Sequence, residues 1–233
     1  MSIKNVHYAK NYENHVLVVE ALSKKAKGLD RNALLKATKI KDGGGFTRIL
    51  NDLEESGFIR KYDYFGQSKR NALYQLVDFY SLFYYQFIKN KEGKNFWINS
   101  IDSPRHRSWS GYSFELVCMM HVEKLKKALG ISGVLTKESS WKSKTATNGA
   151  QIDLLIDRRD EVITICEMKY SINEFVIDKK YAENLRNKIG VFKAESNTKK
   201  AVHLAMITTF GVAENQYSRD VIQNNIKMDA LFD

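Results

Sequence analysis

Between Gln151 and Lys169 the chain carries two apolar, β-rich runs, Ile152-Asp153-Leu154-Leu155-Ile156 and Val162-Ile163-Thr164-Ile165-Cys166, on either side of the charged turn Arg159-Asp160-Glu161. This pattern predicts a β-hairpin with strands over 151–157 and 162–169. The switch in periodicity from the helical first third places both strands in the central sheet of an α/β domain. With 233 residues the chain has room for a second, smaller domain. A single proline and the lack of any apolar run near the roughly 20 residues of a membrane helix set collagen-like, disordered and membrane-spanning readings aside. The first residues, MSIKNVHYAKNYENH, have no apolar core or small-residue cleavage site, so the cytoplasm is the expected compartment. Cys118 and Cys166 sit in apolar stretches and are expected as buried free thiols.

The first third has a different texture. Tyr12 to Ala26 places Val16, Val19 and Leu22 at helical spacing before Gly28; Asp30 can cap a second helix over 31–38; and Phe46 to Ser56, closed by Gly57, reads as a third. Phe58 to Tyr64 and Ala72 to Leu76 then flank a polar turn, giving a hairpin with a basic tip. Three helices and a hairpin are the order of a winged helix-turn-helix. Such a module lays one helix in the major groove and sets a basic wing on nearby phosphates. Thr47, Arg48 and Asn51 are the candidate groove-facing residues, and Lys69 and Arg70 the candidate wing contacts. Docking of another protein stands beside DNA contact as an open alternative, since Arg48 near Asp52 and Glu55 also suits a solvated face.

Net charge adds an attraction for polyanions. Lys and Arg number 37 against 27 Asp and Glu; 17 basic and 11 acidic residues precede Pro104, and 20 and 16 follow it. Both halves are therefore basic enough to face nucleic acid. The aromatic run Val77 to Ile88 is expected as a buried helix joining the halves, and the polar stretch 89–107 as the linker. Residues 1–88 then form the winged-helix domain with its aromatic helix, and residues 108–233 the α/β domain. No glycine-rich phosphate loop is present, because Gly43-Gly44-Gly45 runs into Phe46-Thr47-Arg48 and Gly93-Lys94 lacks the upstream glycine.

The second half opens on a periodic helix, expected from Ser110 to Gly130, with Phe114, Val117, Cys118, Val122 and Leu125 as its core stripe. Glu115 is the misfit. Gly111, Tyr112, Cys118 and Met119, its neighbours along the helix, offer no cation, so its carboxylate needs one from elsewhere, a metal, or water. In the hairpin, a three-residue loop would pair Arg158 with Val162 and set Asp153 opposite Glu167, with Lys169 on the same face. Two carboxylates and a lysine at one end of an apolar hairpin suit Mg²⁺- or Mn²⁺-dependent phosphodiester hydrolysis, which needs hard oxygen ligands and a cation near the attacked phosphate. Crowding the two carboxylates without a metal is expected to raise the pKa of at least one.

Asp153 followed by Glu167-Met168-Lys169, with a glutamate-bearing helix upstream and a helix over about 178–195 downstream, resembles the PD-(D/E)XK nuclease superfamily, the restriction-endonuclease-like fold. The whole order also resembles the C-terminal region of archaeal-type ATPases. That order runs from the winged helix through Tyr-x-Leu-x-Asp-Phe-Tyr-x-Leu-Phe-Tyr-Tyr (Tyr74 to Tyr85), Gly-x-x-Phe-Glu (Gly111 to Glu115) and the hairpin to Ala201–Gly211. The resemblance spans about Asn14 to Asp233. It implies Asp153 and Glu167 as metal ligands, Lys169 as the catalytic lysine and Glu115 as the helix carboxylate that joins them. DNA is the expected substrate, and because the ATPase that normally precedes this region in the family is not in the sequence, the chain is expected either to work beside a separate ATPase or to be a fragment of a longer one. The proline of the superfamily's name is missing too, Gln151-Ile152 standing before Asp153. A homodimer stays open. A metal-dependent DNA nuclease is thus the first functional expectation, and a non-catalytic DNA-binding or protein-docking module on a nuclease scaffold the alternative. Cys118 and His121 lack the second ligand pair of a zinc site, and His203 reads as a hydrogen-bonded core residue.

Overall fold

The computed structural model describes residues 12–25, 27–67, 72–89, 93, 95–144 and 149–232. Lys69 and Arg70, the expected wing contacts, lie outside the described residues. The chain forms two compact units: the first runs to Ile101 without Tyr64–Gly66, and the second is Asp102–Asp233 together with Tyr64–Gly66. No helix among the described residues is long and apolar enough to cross a membrane.

In the first unit, helix α1 (Tyr12–Ser23), the short strand β1 (Leu29–Asp30), helices α2 (Arg31–Thr38) and α3 (Gly44–Glu55), and the hairpin β2 (Ile59–Tyr62) and β3 (Leu73–Leu76) follow in turn. Asp30 caps α2 by accepting from the Ala33 N–H at 2.8 Å, as its position before a polar-apolar run predicts. Gly57, at φ +73°, carries the chain out of α3 in the left-handed conformation that favours glycine. β1 is too short to be read from the sequence, yet it pairs with β3 to give an antiparallel sheet of order β1-β3-β2. Gly28, which follows the helical run of α1, serves this pairing. At φ +82° any Cβ there would stand 2.5 Å from the Tyr74 carbonyl oxygen on β3. Val18, Val19, Leu22, Leu34, Leu50 and Leu76 are buried in this unit.

The aromatic run departs from expectation. It is helix α4 (Phe79–Phe83) continued by a π-helical turn, Tyr84–Ile88, and it is one-sided rather than buried all round. Leu82 and Phe87 are inside, whereas Tyr80 is 70% exposed. Phe83 and Phe87 pack edge-on to Trp97 of helix α5 (Phe96–Asn99), with centroids 5.0 and 5.3 Å away.

The second unit also begins earlier than its periodicity suggests. Ser103 caps helix α6 (Pro104–Met120) by accepting from the His106 N–H, and Pro104 occupies the first turn. A proline that reads as linker punctuation is here a helix starter, where its missing N–H costs nothing. The expected single helix breaks at His121, and α7 (Val122–Ala128) follows. Strands β4 (Thr136–Lys142), β5 (Gln151–Arg158) and β6 (Val162–Lys169) form an antiparallel meander; helix α8 (Lys179–Ser196) crosses to β7 (Ala201–Thr208), parallel to β6; and α9 (Gln216–Val221) crosses to β8 (Asn224–Lys227). The result is a mixed five-stranded sheet of order β4-β5-β6-β7-β8, flanked by helices.

The β5–β6 turn is the three-residue loop 159–161, with Glu161 at φ +62°. Such a loop ends on a left-handed residue and holds the register. Leu154 pairs with Cys166 and Asp157 with Ile163, the frame the sequence predicts. On one face, Leu155, Ile163, Ile165, Leu204 and Met206 bury against Ala182, Leu185 and Phe192 of α8. Each fully buried side chain of this size contributes about 1.5–3 kcal/mol. On the other face α6 packs along β6, bringing Cys118 near Cys166.

Candidate functional site

Glu167 lies on β6 with its side chain on the same face as Ile163 and Ile165, and that face is covered by α8. Only 9% of the residue is exposed. A carboxylate at that depth survives as an anion only if cations and donors replace its water. Here they do. Lys169, two residues along the strand, reaches Glu167 Oε1 at 3.1 Å; the Tyr181 hydroxyl donates to the same oxygen at 3.0 Å; and the Lys188 ammonium holds Oε2 in a short ion pair. Tyr181 and Lys188 stand seven residues apart on α8, two turns on one helical face. They flank the apolar stripe Ala182, Leu185 and Phe192 that seats the helix.

A second carboxylate arrives from α6, where Glu115 Oε1 lies 4.0 Å from Lys169 Nζ. The charge of Asp153 also acts on Lys169, and the Gln151 amide orients that carboxylate by donating to Oδ1 at 2.9 Å. Glu115 and Glu167 therefore flank the Lys169 ammonium at one end of the β5–β6 hairpin, and Asp153 on β5 lies near enough for its charge to act on that ammonium. Tyr181 and Lys188 complete the cluster and carry no signal in the hairpin pattern. Their only trace is a polar pair bordering the apolar stripe of a helix whose docking is tertiary.

The electrostatics follow from this crowding. Burial alone would raise the Glu167 carboxyl, but the charges of Lys188 and Lys169 outweigh it and hold its pKa below the ordinary carboxylate value. Glu167 is therefore not a raised carboxylate, because lysines rather than bare repulsion surround the group. Burial pulls Lys169 down, yet Glu167, Glu115 and Asp153 together keep its pKa above the usual lysine range. It is an ammonium at neutral pH and no proton acceptor. The Tyr181 phenol is pushed up by burial and by the adjacent Glu167 charge, so it donates and does not ionise.

In donor chemistry the site suits a hard divalent ion, since its anionic groups are carboxylate oxygens. In arrangement it is satisfied internally: both Glu167 oxygens are taken by Lys188, Lys169 and Tyr181, and among the described residues no group of three His, Cys, Asp or Glu is gathered to hold a metal ion. A divalent ion at Glu167 would have to displace an ammonium. Cys118 is fully buried, its thiol pushed up to about 12 by burial, and His121 is exposed at the helix break. His203 is half-buried on β7 rather than in the core.

In the first unit, Thr47, Arg48 and Asn51 are all exposed on α3, opposite its buried stripe Phe46, Ile49, Leu50 and Leu53. Arg31 organises the approach to this helix. Its guanidinium binds Asp42 at 2.6 Å, donates to Thr47 Oγ1 at 3.1 Å and lies over the Phe46 ring. The α2–α3 turn is thereby pinned, and Thr47 is partly engaged by its own protein while Arg48 and Asn51 point to solvent. Arg31 escapes a sequence reading because its partners are 11 to 16 residues away. No family model and no curated protein matches the sequence significantly.

Proposed function

We propose that the protein is a metal-dependent nuclease, in which the second unit hydrolyses phosphodiester bonds of DNA that the first unit grips. The observation that carries this reading is that the Lys169 ammonium meets Glu167 at 3.1 Å and Glu115 at 4.0 Å at one hairpin end, within the field of Asp153. It is the residue set that the PD-(D/E)XK resemblance implies. Three helices followed by a hairpin, with Arg48 and Asn51 exposed on the third helix, likewise support a winged-helix grip on duplex DNA.

Asp153 and Glu167 would hold the ion, which when bound supplies Lewis acidity at the phosphate and a water ionised near neutral pH. The chain's own groups do the rest. Lys169, fixed in charge and direction by Glu167 and Glu115, would stabilise the negative charge that builds on the attacked phosphate. Lys188, released from Glu167 Oε2, would add a second positive charge for the substrate. Tyr181 keeps Glu167 oriented by its 3.0 Å hydrogen bond.

A titration of Mg²⁺ and Mn²⁺ against cleavage of linear, supercoiled and branched DNA tests the reading, with Glu167→Ala as control. Cleavage that needs the ion and vanishes in the variant supports it. No cleavage of any substrate, with an unchanged melting temperature up to high Mg²⁺, favours the second reading: a nuclease-like scaffold whose carboxylate is permanently neutralised. The saturation of Glu167 by two lysines and a tyrosine is what speaks for that alternative.

A further inference from the structure

The first unit carries a groove that the nuclease reading does not use. It has a volume of about 560 Å³ and lies between α1 and α2, away from the residues that face outward on α3. Its floor is apolar and low: Ala21, Ala33 and Ala37 leave room where larger side chains would close the gap, and Leu17, 44% exposed, and Leu29 complete it. The rim is cationic, formed by the exposed Lys24, Lys25 and Lys36. Its single carboxylate, Glu20, is already drawn to Lys24 at 3.3 Å and Lys89 at 2.9 Å. Lining positions on α1 recur at 17, 20, 21 and 24, and on α2 at 33, 36 and 37, so the depression follows α1 for about two turns, or roughly 10 Å, and α2 for about one.

We propose that this groove docks an acidic amphipathic helix of a partner protein. The occupant's apolar stripe would lie on the alanine floor and its carboxylates would meet the three lysines. A helix laid in a groove presents anchors at three- and four-residue spacing, the spacing of the groove's own lining. Charge decides between occupants. The chain's first eleven residues carry Lys4, Lys10 and no carboxylate, and a second copy brings a net charge of +10; both are repelled by the rim. Nucleic acid would satisfy the lysines but leave Leu17, Leu29 and the alanines uncovered. An acidic helix with bulky apolar anchors satisfies both surfaces at once.

The test is fluorescence anisotropy on the full chain with a designed helical peptide of about four turns, leucines at three- and four-residue spacing along one face and glutamates on its flanks. Saturable one-site binding is expected. It should weaken at least tenfold in Ala37→Trp, which fills the groove from an exposed position, and at least tenfold in the triple variant Lys24→Glu, Lys25→Glu, Lys36→Glu. Equal binding of a scrambled peptide of the same composition would overturn the proposal, since charge alone would then suffice. So would unchanged affinity in both variants, which moves the contact elsewhere. Displacement of the peptide by duplex DNA would reassign the rim to nucleic acid, and binding of dodecanoate without binding of the peptide would reassign the groove to small amphiphiles.

Discussion

The exposed face of α3 and the cluster around Glu167 both present charges, yet they hold them by opposite means. On α3, Thr47 is half engaged through Arg31, whereas Arg48 and Asn51 stand in water; nothing in the fold depends on what these two meet. Both Glu167 oxygens have protein partners, and each charge around them is part of what keeps its neighbour ionised. An exposed face can change its ligand without touching stability. A buried cluster cannot lose one member without unbalancing the rest. Substitutions that separate binding, chemistry and folding therefore put the contrast to the test.

The largest effect is expected in cleavage. Lys169→Ala should lower the metal-dependent rate about a thousandfold, roughly 4 kcal/mol of transition-state stabilisation, while leaving the Mg²⁺-induced thermal shift nearly intact. Asp153→Asn should reduce both. Single-turnover cleavage and thermal melts with and without Mg²⁺ check this pair. A Lys169→Ala protein that still cuts would strip the cluster of its proposed role and leave only its structural one.

That Asp153, Glu167 and Lys169 belong together is legible in the sequence, because period-two alternation and a three-residue turn tie the register to local chain geometry. Glu115 is legible for another reason, as a carboxylate with no cation within helical reach. Tyr181 and Lys188 lie 14 and 21 residues from Glu167 and come from a helix whose seating on the sheet no local pattern encodes. Without them the sequence cannot show that Glu167 is held lowered by lysines. Pro104 shows the same limit at a boundary, where only the Ser103 cap distinguishes a helix start from a linker.

Next in size is stability. Replacing Lys169 and Lys188 together by Met would strand Glu167 with the Tyr181 hydroxyl alone, at a cost of about 3–5 kcal/mol in urea unfolding at neutral pH. The pH dependence should change sign. In the native protein the folded pKa of Glu167 is lowered, so its contribution is present above the unfolded value near 4.5 and is lost as pH falls through the folded value. In the double variant burial dominates and raises the folded pKa, so stability should instead decline as pH rises above the unfolded value. Parallel unfolding curves from pH 4 to 7 for the two proteins would show that the lysines are not what holds this carboxylate ionised.

The α3 face should respond the other way. Arg48→Ala is expected to leave the urea midpoint unchanged and weaken duplex DNA binding by about 1–3 kcal/mol if it reads a base edge. If it meets a phosphate, the log-log salt slope should shrink by about 0.9 instead. Adding Lys69→Ala and Arg70→Ala should flatten the slope further. Salt-independent binding, or an unaltered slope in the triple variant, would assign the first unit to protein docking.

The smallest effect sharpens the comparison most, because the same substitution can be made in both units. Asp30 caps α2 and Asp178 caps α8, each accepting from the third residue of its helix, at 2.8 and 2.7 Å. Either change to Ala should cost about 1 kcal/mol. The consequences should differ, since the N–H that Asp178 receives is that of Tyr181, whose hydroxyl orients Glu167. Loosening that turn should lower cleavage several-fold and speed amide exchange over the first turn of α8. Asp30→Ala should lose the same stability and leave cleavage of saturating DNA unchanged, because Asp30 caps a helix of the first unit whereas the cluster belongs to the second. Equal losses of cleavage in the two variants would show that the rate follows global stability, and that the Glu167 cluster draws no special support from the helix that supplies Tyr181.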